Sequence, residues 1–351
     1  MNIEKNVPLA PYTTFGIGGP ALFLICVKNV EELKEALSFA AQKQLRVFVL
    51  GGGSNVVINE SGFDGLVIKI EIQGIEVWAR PHTNFDMVPL GQSPLTVEVS
   101  VGAGEGWDAL VERTTQEGLW GIENLSGIPG TVGGAAAGNI GAYGQALSQT
   151  LAWVEVWDMK AGEIKRFTNA ECMFGYRESF FSIHSGSYSI LRAAFTLTKT
   201  PKPELSYKDL AERFKDEKQP SLRAIREAVL TIRQGKFPDL DVEGTAGSFF
   251  KNPIVGKEVA EELVAAYPGL PIFAMPETDG VKVPLAWLLD RVLNIKGLSV
   301  GGARLFEKQP LVIAAKKGTP SSDVLELAQK VIEKVKENFS ISIEPEVKII
   351  K

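Results

Sequence analysis

Glycine placement is what most restricts this chain. Among 35 glycines, three clusters stand out: Gly16, Gly18 and Gly19; Gly51, Gly52 and Gly53; and residues 127–144, which read GIPGTVGGAAAGNIGAYG. Glycine reaches positive φ at little cost, and without a Cβ it lets another backbone or a ligand come close. Taken alone, each cluster is also consistent with a set of flexible turns. The second cluster differs because it directly follows LRVFVL (residues 45–50), a β-branched and aromatic run that predicts a buried strand. A strand emptying into Gly-Gly-Gly-Ser-Asn-Val offers successive backbone N–H groups to a phosphate. It is not a Walker loop, which needs Gly-Lys-Ser/Thr, and it lacks the spaced glycines of a dinucleotide-binding helix. Gly102, Gly104 and Gly106 have the wrong spacing for that fingerprint and read as a turn.

The remaining pattern is mixed α and β. Apolar residues at helical spacing predict helices over residues 30–41 and 107–117. Strands are predicted over 95–101, 154–157 and 190–197. From residue 221 the texture turns to longer helices: 221–233, 258–266, 283–292 and 322–337, the last with Ser321 or Ser322 as N-cap. Residues 201–203 and 237–241 are Pro-rich and read as linkers, and 342–350 reads as a final strand. A net charge of −5 carries no basic excess for a nucleic-acid partner. Apolar runs stop at about seven residues, far short of the ~20 of a membrane span, and the first residues lack the apolar core of a signal peptide. The cysteines Cys26 and Cys172 make no disulfide framework, and with His82 and His184 the sole histidines no metal site is expected.

Six segments in order give these features a family. They are NVPLAPYTTFGIGGPA (6–21), VLGGGSNVVI (49–58), the 127–144 run, FGYRESFF (174–181), GSFFKNP (247–253) and IEPEVKI (343–349). Together they resemble the bacterial UDP-N-acetylenolpyruvoylglucosamine reductases (MurB), flavoenzymes of peptidoglycan precursor synthesis, and the resemblance covers nearly the whole chain. It implies an α+β architecture: a two-subdomain FAD-binding fold of the vanillyl-alcohol-oxidase (PCMH) type plus a smaller α/β substrate-binding domain. The implied divisions are residues 1–68 and 69–235 for the two FAD-binding subdomains, 236–338 for the substrate domain and 339–351 for a terminal strand returning to the active site. FAD contacts are implied for Leu50, Gly51, Gly52, Gly53, Ser54 and Asn55, for Pro129, Gly133, Gly134, Asn139, Gly141, Ala142 and Tyr143, and for Arg233 and Gly247. For Arg233 the alternative is the polar face of the 221–233 helix. Neither glycine loop contains His or Cys, so the flavin is expected to be non-covalent.

The family's reaction reduces an enolpyruvyl ether with NADPH. Hydride passes by way of the flavin to the β-carbon, charge builds toward the carboxylate, and a proton must reach the α-carbon. That chemistry needs a group that polarises the carboxylate and a positioned proton donor. By resemblance, Arg177 holds the carboxylate, Glu346 shares in polarising or protonating it, and Ser248 donates the proton. Each has a plainer alternative in the sequence: a surface ion pair for Arg177, a solvated strand face for Glu344 and Glu346 alike, and a serine bonding its own turn for Ser248. The resemblance also places Tyr207 on the loop that closes over the uridine nucleotide in the longer subtype. Lys236, Asn252 and Gln309 then contact diphosphate or sugar, with Lys236 otherwise a linker lysine. The expected partners are UDP-N-acetylglucosamine enolpyruvate and NADPH, met by a cytoplasmic monomer with no nucleic-acid or membrane partner. The competing functions are another FAD-dependent oxidase of this fold acting on an alcohol or sugar, and a degenerate nucleotide-binding protein.

Overall fold

The computed structural model describes residues 2–79, 96–275 and 279–351. His82 and Leu95, the first residue of one expected strand, lie outside them. The chain forms two compact units. One comprises Met1–Val7, Ala21–Gly52 and Asp64–Arg233; the other comprises Pro8–Pro20, Gly53–Phe63 and Gln234–Lys351.

Among its described residues the first unit holds two larger sheets and the short pair Gly141–Ala142 with Gln145–Ala146. A four-stranded sheet runs in the order Glu4–Pro8, Pro20–Val27, Phe63–Ile70, Arg46–Leu50. Its last two strands are parallel, with Phe48 beside Val67. The crossover helix Val30–Gln42 starts where Asn29 accepts the Glu32 N–H at 2.9 Å, and it buries Leu33, Ala36 and Ala40. A five-stranded antiparallel sheet follows in the order Glu163–Thr168, Leu151–Asp158, Tyr188–Thr198, Thr96–Gly102, Ile75–Ala79. Helix Trp107–Gln116 anchors this sheet through Trp107, whose ring meets Phe195 edge-on at 5.7 Å. The buried indole N–H is satisfied by Leu125 O at 3.0 Å. Helix Leu222–Lys236 begins where Ser221 Oγ accepts the Ala224 N–H, and it packs Ile225 and Val229 with Tyr143, Leu210 and Phe214.

In the second unit an antiparallel sheet runs Glu243–Ser248, Gln309–Lys316, Ala303–Phe306, Ser299–Val300. Helix Ser321–Phe339 packs Val324, Leu327, Val331 and Val335 into the same apolar cluster as Leu305 and Ile313. The α+β expectation holds, and most elements fall where their periodicity put them. Four readings need correction. The last helix starts at Ser321, but neither Ser321 nor Ser322 caps it. Pro320 occupies the cap position, and the acceptor comes from Glu60, which takes Ser321 Oγ–H at 2.7 Å and the Ser322 N–H at 3.0 Å. The helix predicted from 283 starts at Leu285 because Pro284 sits at the cap, and it widens over Leu288–Val292. The predicted strand 342–350 pairs as a strand only over Lys348–Ile350, parallel to Val56–Ile58, because the segment changes partners: Pro345 makes an isolated antiparallel bridge with Phe250 before that strand begins. Pro201 and Pro203 lie inside the first unit, so they do not link units.

Candidate functional site

The glycine loops of the first unit are packed by their own backbone. A Cβ on Gly51 would sit 2.8 Å from Thr131 Oγ1, and one on Gly52 would sit 2.5 Å from Gly130 Cα. These positions need glycine because two backbone segments touch there, a demand the sequence could not separate from ligand approach. The loop after Ser126 is pinned from both sides. Gly127 donates its N–H to Asp108 Oδ1 at 2.5 Å, while its carbonyl accepts from Arg233 Nε at 3.0 Å. Asp108 is in turn held in a fork by Arg226, at 2.6 and 2.9 Å. Burial raises the Asp108 pKa, but the Arg226 and Gly127 hydrogen bonds outweigh it and hold the carboxyl below its ordinary value. For Arg233 burial wins and lowers the pKa, against the pull of Tyr143 and Asp108. Arg233 therefore braces the loop carrying Pro129.

Arg177 sits on the tip of a tight turn in which Gly175 and Glu178 exchange backbone hydrogen bonds. Its own φ is +58°, in the left-handed region that favours glycine. Arg177 Nη2 donates to Gly141 O at 2.6 Å, and a Cβ on Gly141 would sit 2.9 Å from Arg177 Nη1. Asn139, also left-handed, accepts the Ser148 N–H and donates to Gly175 O at 2.9 Å. The structure thus joins Asn139, Gly141 and Arg177 into one patch. Beyond it, the Tyr143 ring meets Tyr207 edge-on at 5.1 Å, with Tyr143 buried and Tyr207 40% exposed.

In the second unit Ser248 ends the strand Glu243–Ser248, just after a register break. Gly247 there has φ +78°, and a Cβ on it would meet nothing within 4 Å, so this glycine faces open space. Phe249 and Phe250 are buried, and the Phe249 N–H reaches Leu311 O at 2.7 Å, which fixes the chain on the far side of Ser248. The hydroxyl that closes this turn belongs to Thr245. It accepts the Gly247 N–H at 3.2 Å and donates to Ile313 O at 2.8 Å. Ser248 Oγ makes no hydrogen bond to any described residue, so the turn-bonding alternative is not what is seen.

Glu346 lies alongside. Its N–H donates to Phe249 O at 2.8 Å, and Asn55 Nδ2 donates to its carbonyl at 3.2 Å. Glu344 Oε1 pairs with Lys251 Nζ at 2.8 Å. Gly53 is left-handed, with its absent Cβ 1.9 Å from Tyr12 O, and its carbonyl accepts the Thr14 N–H. The N–H groups of Gly52, Gly53 and Ser54 donate to no acceptor among the described residues, leaving three consecutive donors suited to a phosphate. Asn252 Oδ1 accepts the Leu285 N–H at 2.9 Å, so its side chain also starts a helix. Gln309 and Lys236 are half-buried. Sequence reasoning missed Asp108, Arg226 and Thr245, which carry no local motif, and Lys251, which lies inside GSFFKNP but was not singled out.

Two family models match the chain. One is described as FAD binding domain, over residues 21–168, and the other as UDP-N-acetylenolpyruvoylglucosamine reductase, C-terminal domain, over residues 239–350. The chain is 38% identical to the UDP-N-acetylenolpyruvoylglucosamine reductase of Escherichia coli (strain K12), over 98% of this chain and 96% of that protein. It is also 38% identical to the reductase of the same name from Amoebophilus asiaticus (strain 5a2), over the whole of both chains. Among solved structures it is similar to the UDP-N-acetylenolpyruvylglucosamine reductase (MurB) of Thermus caldophilus, with TM-score 0.67, 26% identity and full coverage of both chains.

Proposed function

The chain belongs to the UDP-N-acetylenolpyruvoylglucosamine reductase family, and from that premise we propose that it reduces the enolpyruvyl ether of UDP-N-acetylglucosamine to the lactyl ether, giving UDP-N-acetylmuramate. NADPH is the reductant and FAD the cofactor, and the enzyme acts as a cytoplasmic monomer. The donor set fits the cofactor: the consecutive N–H groups of Gly52, Gly53 and Ser54, which donate to no acceptor among the described residues, suit a diphosphate, and Gly247 leaves open space. When bound, FAD supplies the two-electron reduction of the β-carbon. The protein supplies the rest. Arg177, anchored on Gly141 O, offers a planar cation to the substrate carboxylate, where charge builds. Glu346 has the role of sharing in polarising or protonating that carboxylate. Ser248 delivers the proton to the α-carbon, which becomes basic enough to take one from a hydroxyl. Tyr207 closes over the uridine, and Lys236, Asn252 and Gln309 contact the diphosphate and sugar.

The observation that best supports this assignment is the Ser248 hydroxyl, which is fixed by its neighbours yet has no hydrogen bond to a described residue. Non-covalent FAD is supported by Cys172, which is buried with its thiol pKa pushed up to about 12 by that burial and by Glu171. His184 stacks on Phe180 with Nδ1 2.9 Å from the Phe180 carbonyl. The test is an absorption spectrum of the purified protein under anaerobic conditions. Flavin absorbance should bleach with NADPH, return on adding the enolpyruvyl substrate, and pass into the supernatant after heat precipitation. Recovery with oxygen and peroxide release, but not with that substrate, would identify an oxidase instead.

A further inference from the structure

We propose that Asn124 is a positioning residue that clamps the Tyr207 loop onto Tyr143, an inference resting on the reading of Tyr207 as the residue that closes over the nucleotide. Asn124 is fully buried. Its Nδ2 donates to two carbonyls far apart in the chain, Tyr143 O at 2.7 Å and Glu204 O at 2.8 Å. Two acceptors at these distances fix which end of the amide is nitrogen. Its backbone N–H donates to Gln145 Oε1 at 3.0 Å, and Gln145 Nε2 reaches Glu123 Oε1 at 3.3 Å. Glu123 is fixed by the Gly121 N–H at 2.7 Å. The Glu204 side chain then turns the chain into Tyr207 by accepting the Ser206 N–H at 2.8 Å.

Asn124 Oδ1 is buried and has no partner among the described residues. A buried acceptor left empty costs stability, so an apolar residue would serve better if packing were all this position did. What the amide alone supplies is a second donor hydrogen. One hydrogen holds Tyr143, a left-handed residue whose ring faces Tyr207; the other holds the loop that bears Tyr207. The clamp therefore sets the distance between the two rings, and with it how far the loop must travel to cover a nucleotide. A loop already held near its closed place loses less freedom when substrate binds.

The test is a kinetic cycle of Asn124→Ala, Tyr207→Ala and the double variant, reading KM for the enolpyruvyl substrate, kcat and the rate of flavin bleaching by NADPH. Asn124→Ala should raise KM about tenfold, the scale of two lost hydrogen bonds, and change the bleaching rate by less than about threefold. In the Tyr207→Ala background the same change should move KM by less than about twofold, since there is no ring left to position. Equal KM effects in both backgrounds would make Asn124 a general structural residue and overturn the proposal. No KM effect of Tyr207→Ala alone would remove the reading beneath it instead, and the clamp with it. If Asn124→Ala does not fold, Asn124→Ser, whose hydroxyl can serve one of the two carbonyls, goes through the same cycle with a smaller rise expected and the same outcomes decisive.

Discussion

Replacing Ser248 by alanine should separate the two halves of the reaction. The side chain is half-buried, and its hydroxyl has no hydrogen bond to a described residue. The backbone on either side is held by other groups, with Thr245 before it and the buried Phe249–Phe250 pair after it. Loss of the hydroxyl should therefore change stability by less than ~0.5 kcal/mol, about 1–2 °C in Tm for a chain of this size. FAD should still bind, and NADPH should bleach it at nearly the normal rate, because that half needs no proton from serine. Reoxidation by UDP-N-acetylglucosamine enolpyruvate should fall at least ~10²–10⁴-fold, the usual weight of a lost general acid, or roughly 3–5 kcal/mol of barrier. Ser248→Cys should recover part of the rate, as a thiol can also donate. Stopped-flow absorbance measures each half separately. Equal losses in both halves, or a Tm drop of many degrees, would make Ser248 a structural turn residue and refute the assignment.

Arg177→Gly should relax the left-handed backbone by about 1 kcal/mol while losing the Gly141 contact of similar size. Tm should move by no more than a few degrees, yet kcat/KM for the enolpyruvyl substrate should fall at least ~10²-fold; a fully active Arg177→Gly would show that the side chain plays no part. Arg177→Lys should recover little, since an ammonium cannot fork onto a carboxylate. Asp108→Asn should lose about 2 kcal/mol at pH 7, a buried-pair cost discounted for a partly exposed carboxyl. Because the folded Asp108 pKa is lowered, its stabilisation is present above the unfolded value and lost as pH falls through the folded one. The Tm gap between wild type and Asp108→Asn should therefore close below about pH 4, and a gap that stays constant down to pH 3 would contradict the ion-pair account.

The elements legible in the sequence are those set by local periodicity. Leu33, Ala36 and Ala40 announce one helix, and the β-branched run ending at Leu50 announces the strand that empties into Gly51. What the sequence hides is the set of partners that arrive from far along the chain. The cap of helix Ser321–Phe339 is a carboxylate 261 residues away. Asp108 and Arg226 are 118 residues apart, and each alone reads as the solvated face of a helix. The segment around Ile343 and Val347 changes partners, bridging Phe250 at Pro345 before it pairs with Val56–Ile58, which its alternation does not reveal.

The candidate site divides in the same way. Motifs point to the candidate groups, while several of the residues that hold the surrounding backbone, such as Asp108, Arg226 and Thr245, lie outside any motif. Glu344 and Glu346 alternate identically along the chain, and the partner of Glu344, Lys251, comes from far along it. Thr245 sits three residues before Ser248 and offers the same functional group, yet its hydroxyl spans Gly247 and Ile313 while that of Ser248 bonds to no described residue. A hydroxyl already used by the fold cannot move a proton without disturbing its turn. The turn-bonding role weighed as the alternative for Ser248 is filled instead by Thr245, three residues earlier.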